Sequence, residues 1–96
     1  MKSLPKTLTI HVTQEDIDNG VANSFESCPI AHALNRRLKT DNADVGPFSA
    51  VVDVRRKVGR YALPKAATNF IGFFDFDLPV EPFTCKLRLK GTGKYC

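Results

Sequence analysis

From Thr7 to Val12 apolar and polar residues alternate, with Leu8, Ile10 and Val12 on one side and Thr7, Thr9 and His11 on the other. That period of two is the mark of a half-buried strand. The pattern then breaks at Thr13-Gln14-Glu15-Asp16-Ile17-Asp18-Asn19-Gly20. Thr13 suits an N-cap, the acids after it sit where a helix dipole is positive, and Gly20 supplies a left-handed stop, which predicts a helix of one turn or slightly more. After a loop, Ser27-Cys28-Pro29 opens a second helix, the serine as cap and the proline in the first turn, where its missing N–H costs nothing. Ile30, Ala31, Leu34 and Leu38 form its buried stripe. Arg36, Arg37 and Lys39 close it, where the negative end of the dipole favours cations.

Thr40 to Pro47 carries Asp, Asn, Gly and Pro and reads as a loop. A strand follows, with Phe48, Ala50, Val52 and Val54 facing one way and Ser49, Val51, Asp53 and Arg55 the other. Arg56 to Gly59 reads as a turn, and Arg60 to Leu63 as a short third strand with Tyr61 and Leu63 inward. After Pro64 the helical period returns in Ala67, Phe70, Ile71 and Phe74, and Asp75 to Pro79 ends that helix. The last strand sets Phe83, Cys85, Leu87 and Leu89 against Thr84, Lys86, Arg88 and Lys90. The order β-α-β-β-α-β predicts an α+β, ferredoxin-like βαββαβ sandwich: a four-stranded, mainly antiparallel sheet, two helices on one face, and a short extra helical turn after the first strand. Right-handed crossovers would put the first and third strands in the middle. The expected domain spans residues 1–90, with 91–96 as a flexible C-terminal tail.

Length allows one domain and not two, so a monomer or a homodimer is expected. Hydrophobic residues at 43% and charged residues at 25% fit a globular chain rather than a disordered one. The net charge of +4 argues against a carboxylate surface that imitates nucleic acid. Three cysteines, Cys28, Cys85 and Cys96, form no even disulfide set and show no C-x-x-C spacing. With only His11 and His32 beside them they do not compose a structural zinc site, and reduced thiols are expected. The first residues lack the apolar core of a signal peptide, and no run of about 18 apolar residues predicts a membrane span.

Candidate chemistry is sparse. Cys28 at a helix N-terminus with His32 one turn on has the spacing for Cys–His activation, but no third orienting group accompanies the pair, and a buried thiol beside a solvent-facing histidine is the simpler expectation. Gly91-Thr92-Gly93-Lys94 lacks the spacing of a phosphate-binding loop. Asp75-x-Asp77, even with Asp41 and Asp44, falls short of a calcium loop. Neither catalytic nor metal-binding residues are assigned, and no cofactor is expected. Charge is patterned: Lys86, Arg88 and Lys90 share one face of the last strand, and Arg55, Arg56, Lys57 and Arg60 cluster around the hairpin between the second and third strands. The sheet face away from the helices should hold Thr9, His11, Asp53, Arg55, Lys86 and Arg88 and be positive. It could attract phosphates or an acidic protein surface, or be an ordinary solvated face. It is not an RNA-recognition motif, because Phe48, Tyr61 and Phe83 should fall on the helix-covered side. Phe73 and Phe76 lie off the buried stripe of their helix, either as a protein-contact patch or as a second apolar layer under the loop Thr40 to Pro47.

The run Thr13-Gln14-Glu15-Asp16-Ile17-Asp18-Asn19-Gly20, followed by Cys28-Pro29-Ile30-Ala31-His32-Ala33-Leu34, resembles a family of small uncharacterised phage and prophage proteins with the pattern T-x-E-D-I-x-x-G and then C-P-I-A-x-A-L. The resemblance covers roughly the first 40% of the chain and implies a phage accessory protein, with no catalytic or binding residue carried over. By analogy with small phage-encoded inhibitors of host defence, anti-CRISPR proteins among them, the expected activity is non-enzymatic inhibition of a host protein or nucleoprotein complex in the host cytoplasm. Direct nucleic-acid binding by the basic sheet face, or sequestration of an anionic nucleotide, stands as the alternative. The residues expected to carry binding are Arg55, Arg56, Lys57, Arg60, Phe73, Phe76, Lys86, Arg88 and Lys90.

Overall fold

The computed structural model describes residues 4–54 and 57–94. In chain order the elements are β1 (Thr7–Val12), α1 (Gln14–Asn19), α2 (Pro29–Leu38), β2 (Asp44–Val45), β3 (Ser49–Val54), β4 (Lys57–Ala62), α3 (Lys65–Asp75) and β5 (Phe83–Lys94). The strands make one antiparallel sheet in the order β1-β5-β4-β3-β2, so the fold is α+β.

That order departs from the ferredoxin-like expectation. β5 and β4 occupy the middle with β3, and β1 lies at an edge rather than in the centre. The cause is the length of β5, 12 residues, which lets it serve two neighbours in succession. Its first half pairs with β1 from Val12↔Phe83 to Thr7↔Arg88, and its second half pairs with β4 from Ala62↔Arg88 to Lys57↔Lys94. The edge of β4 that a ferredoxin-like first strand would fill is therefore taken. Of the expected tail 91–96, residues 91–94 belong to this strand and 95–96 lie outside the described residues; Gly91 and Gly93 weaken the strand propensity in sequence, and pairing with β4 overrides that.

Smaller differences have equally local causes. The stretch 40–47 is not all loop, because Asp44 and Val45 pair with Val51 and Ala50 as a fifth, two-residue strand. β4 begins at Lys57, so Gly59 lies within a strand, not a turn; the Leu4 side chain packs where a Cβ at Gly59 would stand. Gly20 is extended (φ −76°, ψ 153°) rather than left-handed, and its role is close approach: a Cβ there would lie 2.6 Å from Pro29 Cδ. Cys28, not Ser27, is the N-cap of α2, and it caps without a side-chain hydrogen bond. Phe48 precedes β3 and is 73% exposed, so it leaves the helix-covered face on which it was expected.

The core lies on one face of the sheet. Leu8, Ile10 and Val12 of β1, Cys85 and Leu87 of β5, Tyr61 of β4 and Ala50 and Val52 of β3 meet Ile30, Ala31 and Leu34 of α2 and Ala67 and Phe70 of α3. Phe70 stacks on Phe74 one turn along α3 and lies tilted against Phe83 of β5, with ring centroids 6.0 and 4.8 Å apart. Tyr61 is fully buried, and its hydroxyl donates to the Pro5 carbonyl at 2.7 Å. The short α1 is held by a capping box between Thr13 and Asp16 and by Arg36 of α2.

Candidate binding surfaces

The register sets out the uncovered face of the sheet. Thr7, Thr9 and His11 of β1 stand across from Arg88, Lys86 and Thr84 of β5, and His11 Nδ1 lies 2.9 Å from Thr84 Oγ1. Arg60 of β4 faces Gly91 on one side and Val51 of β3 on the other. Lys86, Arg88, Lys90 and Arg60 are all exposed, so these four cations share the solvent side of the two central strands, with successive β5 cations about 7 Å apart. Among the described strand residues, acids appear only towards the far edge, at Asp44 across from Val51 and Asp53 across from Val58. Lys57 does not join the group; it is half-buried, and its place in the β4 alternation puts it on the side of Gly59 and Tyr61. Arg55 and Arg56 lie outside the described residues.

A bulge breaks the register between β4 and β5. Arg60 pairs with Gly91 and Tyr61 with Leu89, which leaves Lys90 as an extra residue in the strand. Beside it is an open depression of about 510 Å³ lined by Lys6, Thr7, Arg88, Leu89, Lys90 and Gly91. Lys6, Thr7 and Gly91 carry no sequence pattern that singles them out; only the pairing brings them to the cations of β5.

The second surface is apolar. Phe73 and Phe76 are 52% and 80% exposed, and Leu78 just beyond α3 is 48% exposed. They do not form a layer beneath residues 40–47. Phe73 instead separates two shallow grooves, one bounded by Phe70, Val80 and Phe83, the other by Thr68, Gly72, Phe76 and Leu78. Asp77 and Glu81 are exposed beside this patch, and Asp75 is engaged, accepting the Asn23 N–H at 2.9 Å.

The thiols are placed unfavourably for chemistry. Burial pushes the Cys28 thiol up, and the nearby Asp75 carboxylate adds to the shift; backbone N–H groups at the start of α2 oppose it without prevailing. Cys85 is pushed up to about 11 by burial. His32 is half-buried, and its Nε2 is a buried atom without a hydrogen-bond partner. Among the described residues no three His, Cys, Asp or Glu side chains gather as a metal would require, and no helix is long and apolar enough to cross a membrane. Comparison of the chain with protein-family models, curated proteins and solved structures finds no match.

Proposed function

We propose that the chain is a non-enzymatic binding protein of the phage accessory kind that its N-terminal pattern resembles, acting in the host cytoplasm by occupying a functional surface of a host protein or nucleoprotein complex. The observation that carries this reading is the exposure of Phe73, Phe76 and Leu78 together. Large aromatics bordered by grooves are the side chains that anchor protein interfaces, and exposing them without a partner is unfavourable. The raised thiols of Cys28 and Cys85 give no support to nucleophilic catalysis.

The test uses affinity capture from host lysate with three baits: the natural chain, a Phe73→Ser/Phe76→Ser variant, and a Lys86→Glu/Arg88→Glu variant. A host protein held by the first and third baits and lost from the second is the expected result. Recovery of nothing above background with the natural chain overturns the reading. A second reading, direct nucleic-acid binding, is favoured by one observation: the face bearing Lys86, Arg88, Lys90 and Arg60 is covered by no helix.

A further inference from the structure

β5 outruns β1. Strand pairing between them ends at Thr7↔Arg88, and the Leu89 N–H donates to the Lys6 carbonyl at 2.8 Å. Beyond that bond Gly91 is in register with Arg60 of β4, and neither Lys90 nor Gly91 has a register partner on β1. The result is a notch at the start of β1, and the bulge at Lys90 lies in it. A bulge re-aims the side chain it displaces. Here that side chain is a third cation, brought beside Arg88 and Lys6 in one depression.

We infer that this notch is a site for a phosphate group carried on an organic ligand, either a nucleotide or one linkage of a nucleic-acid strand. The inference rests on the nucleic-acid reading of the sheet face and narrows it to one place. Among the described residues, three cations and no carboxylate line the depression, so its charges repel one another until an anion enters. Arg88 supplies the planar fork that matches phosphate oxygens, while Lys6 and Lys90 supply compact charges on flexible stems. The Thr7 hydroxyl is a further donor in the lining. Nothing lies within 4 Å of where a Cβ at Gly91 would be, so a ligand can approach the main chain there. Leu89 adds an apolar wall for the organic part of the ligand, and the volume of about 510 Å³ falls within the range of small-molecule sites. Lys86, by contrast, lies two strand positions further from the notch, across from Thr9.

The experiment is an amide-resonance titration of the whole chain at low salt, with adenosine triphosphate in one arm and a ten-nucleotide single DNA strand in the other. The expected result is saturable movement of the Thr7, Arg88, Leu89, Lys90 and Gly91 amides in at least one arm. Lys6→Ala/Lys90→Ala should weaken binding roughly tenfold or more, and Lys86→Ala by about twofold or less. Both variants alter exposed side chains, and unchanged core resonances will establish that they fold. Saturation with the nucleotide alone assigns the phosphate to a free metabolite; saturation with the strand alone assigns it to a phosphodiester. If the strand binds but Lys86→Ala costs as much as the double variant, with shifts spread to His11 and Thr84, the notch is refuted while the basic-face reading stands. Absence of saturable binding in both arms overturns the two together.

Discussion

Asp16 is only 4% exposed, and its carboxyl is met there by Arg36 of α2 and by Thr13 at the cap of α1. Arg36 donates Nη1 to Oδ1 at 2.7 Å and Nη2 to Oδ2 at 2.8 Å, and the same Nη2 donates to the His11 carbonyl at 2.8 Å. The Thr13 N–H donates to Oδ2 at 2.9 Å. Burial works to raise the Asp16 carboxyl, and the guanidinium together with the Thr13 groups outweighs it, leaving the carboxyl below its ordinary value. A carboxyl lowered in the folded state contributes stability that is present above its unfolded value near 3.8 and is lost as pH falls through the folded one. Arg36→Met should therefore cost about 2 kcal/mol at pH 7, less than for a fully buried pair because Arg36 is half in water. The cost should shrink once Asp16 is protonated in both proteins. Urea unfolding at pH 7 and about pH 2.5 measures this, and an equal difference at both pH values would refute it. In sequence both residues read correctly as helix-end charges, but nothing in their separation announced that they meet. Ion pairing between α1 and α2 depends on how the two helices meet, and Gly20 lies so close to Pro29 there that a Cβ would not fit.

β1 lies at an edge, and its hydrogen bonding has a parity. The bond from Leu89 N–H to the Lys6 carbonyl fixes the even residues as those that bond to β5, so Thr7, Thr9 and His11 turn their main-chain groups outward. Arg36 closes that edge at the His11 carbonyl, and Pro5 limits it at the other end by having no N–H. The opposite edge is met at two points: Phe25 accepts the Val45 N–H at 2.8 Å, and Asn42 Oδ1 accepts the Asp53 N–H at 3.1 Å. Hydrogen exchange should accordingly be fast at Thr7 and Thr9 and slower by several orders of magnitude at Leu8 and Ile10. Uniform protection from Thr7 to Ile10 in the dilute chain would show that something pairs with the edge. The strand itself was legible, as were α2, α3, the inward set of β5 and Ala50 and Val52 of β3, because each follows an uninterrupted period, whereas Phe48 falls before its strand begins. β2 was not, since two residues cannot display a period; nor was the extension of β5, where Gly91 and Gly93 present no side chain to alternate.

At the scale of the molecule the two candidate surfaces face different ways. The cations of β4 and β5 lie on the side of the sheet that the helices leave open, and Phe73 and Phe76 lie on the helical side. Lys86 and Arg88 were legible as outward residues from the period of two; that Arg60 joins them depended on strand order, which a periodic pattern does not encode. If the open face engages nucleic acid, affinity should fall linearly in log salt with a slope of about −0.7 per phosphate for a single strand. Removing one contacting cation should flatten the slope by about that amount, and salt-independent binding would rule the mode out. The placement of β5 between β1 and β4 also governs when the molecule can form. Thr7 and its partner Arg88 stand far apart in sequence, so the first strand has no strand partner while the intervening residues are being synthesised. Leu8, Ile10 and Val12 must wait for residues 83–88 to leave the ribosome. Such distant closure slows folding and lengthens the interval in which a nascent chain is open to chaperones and proteases.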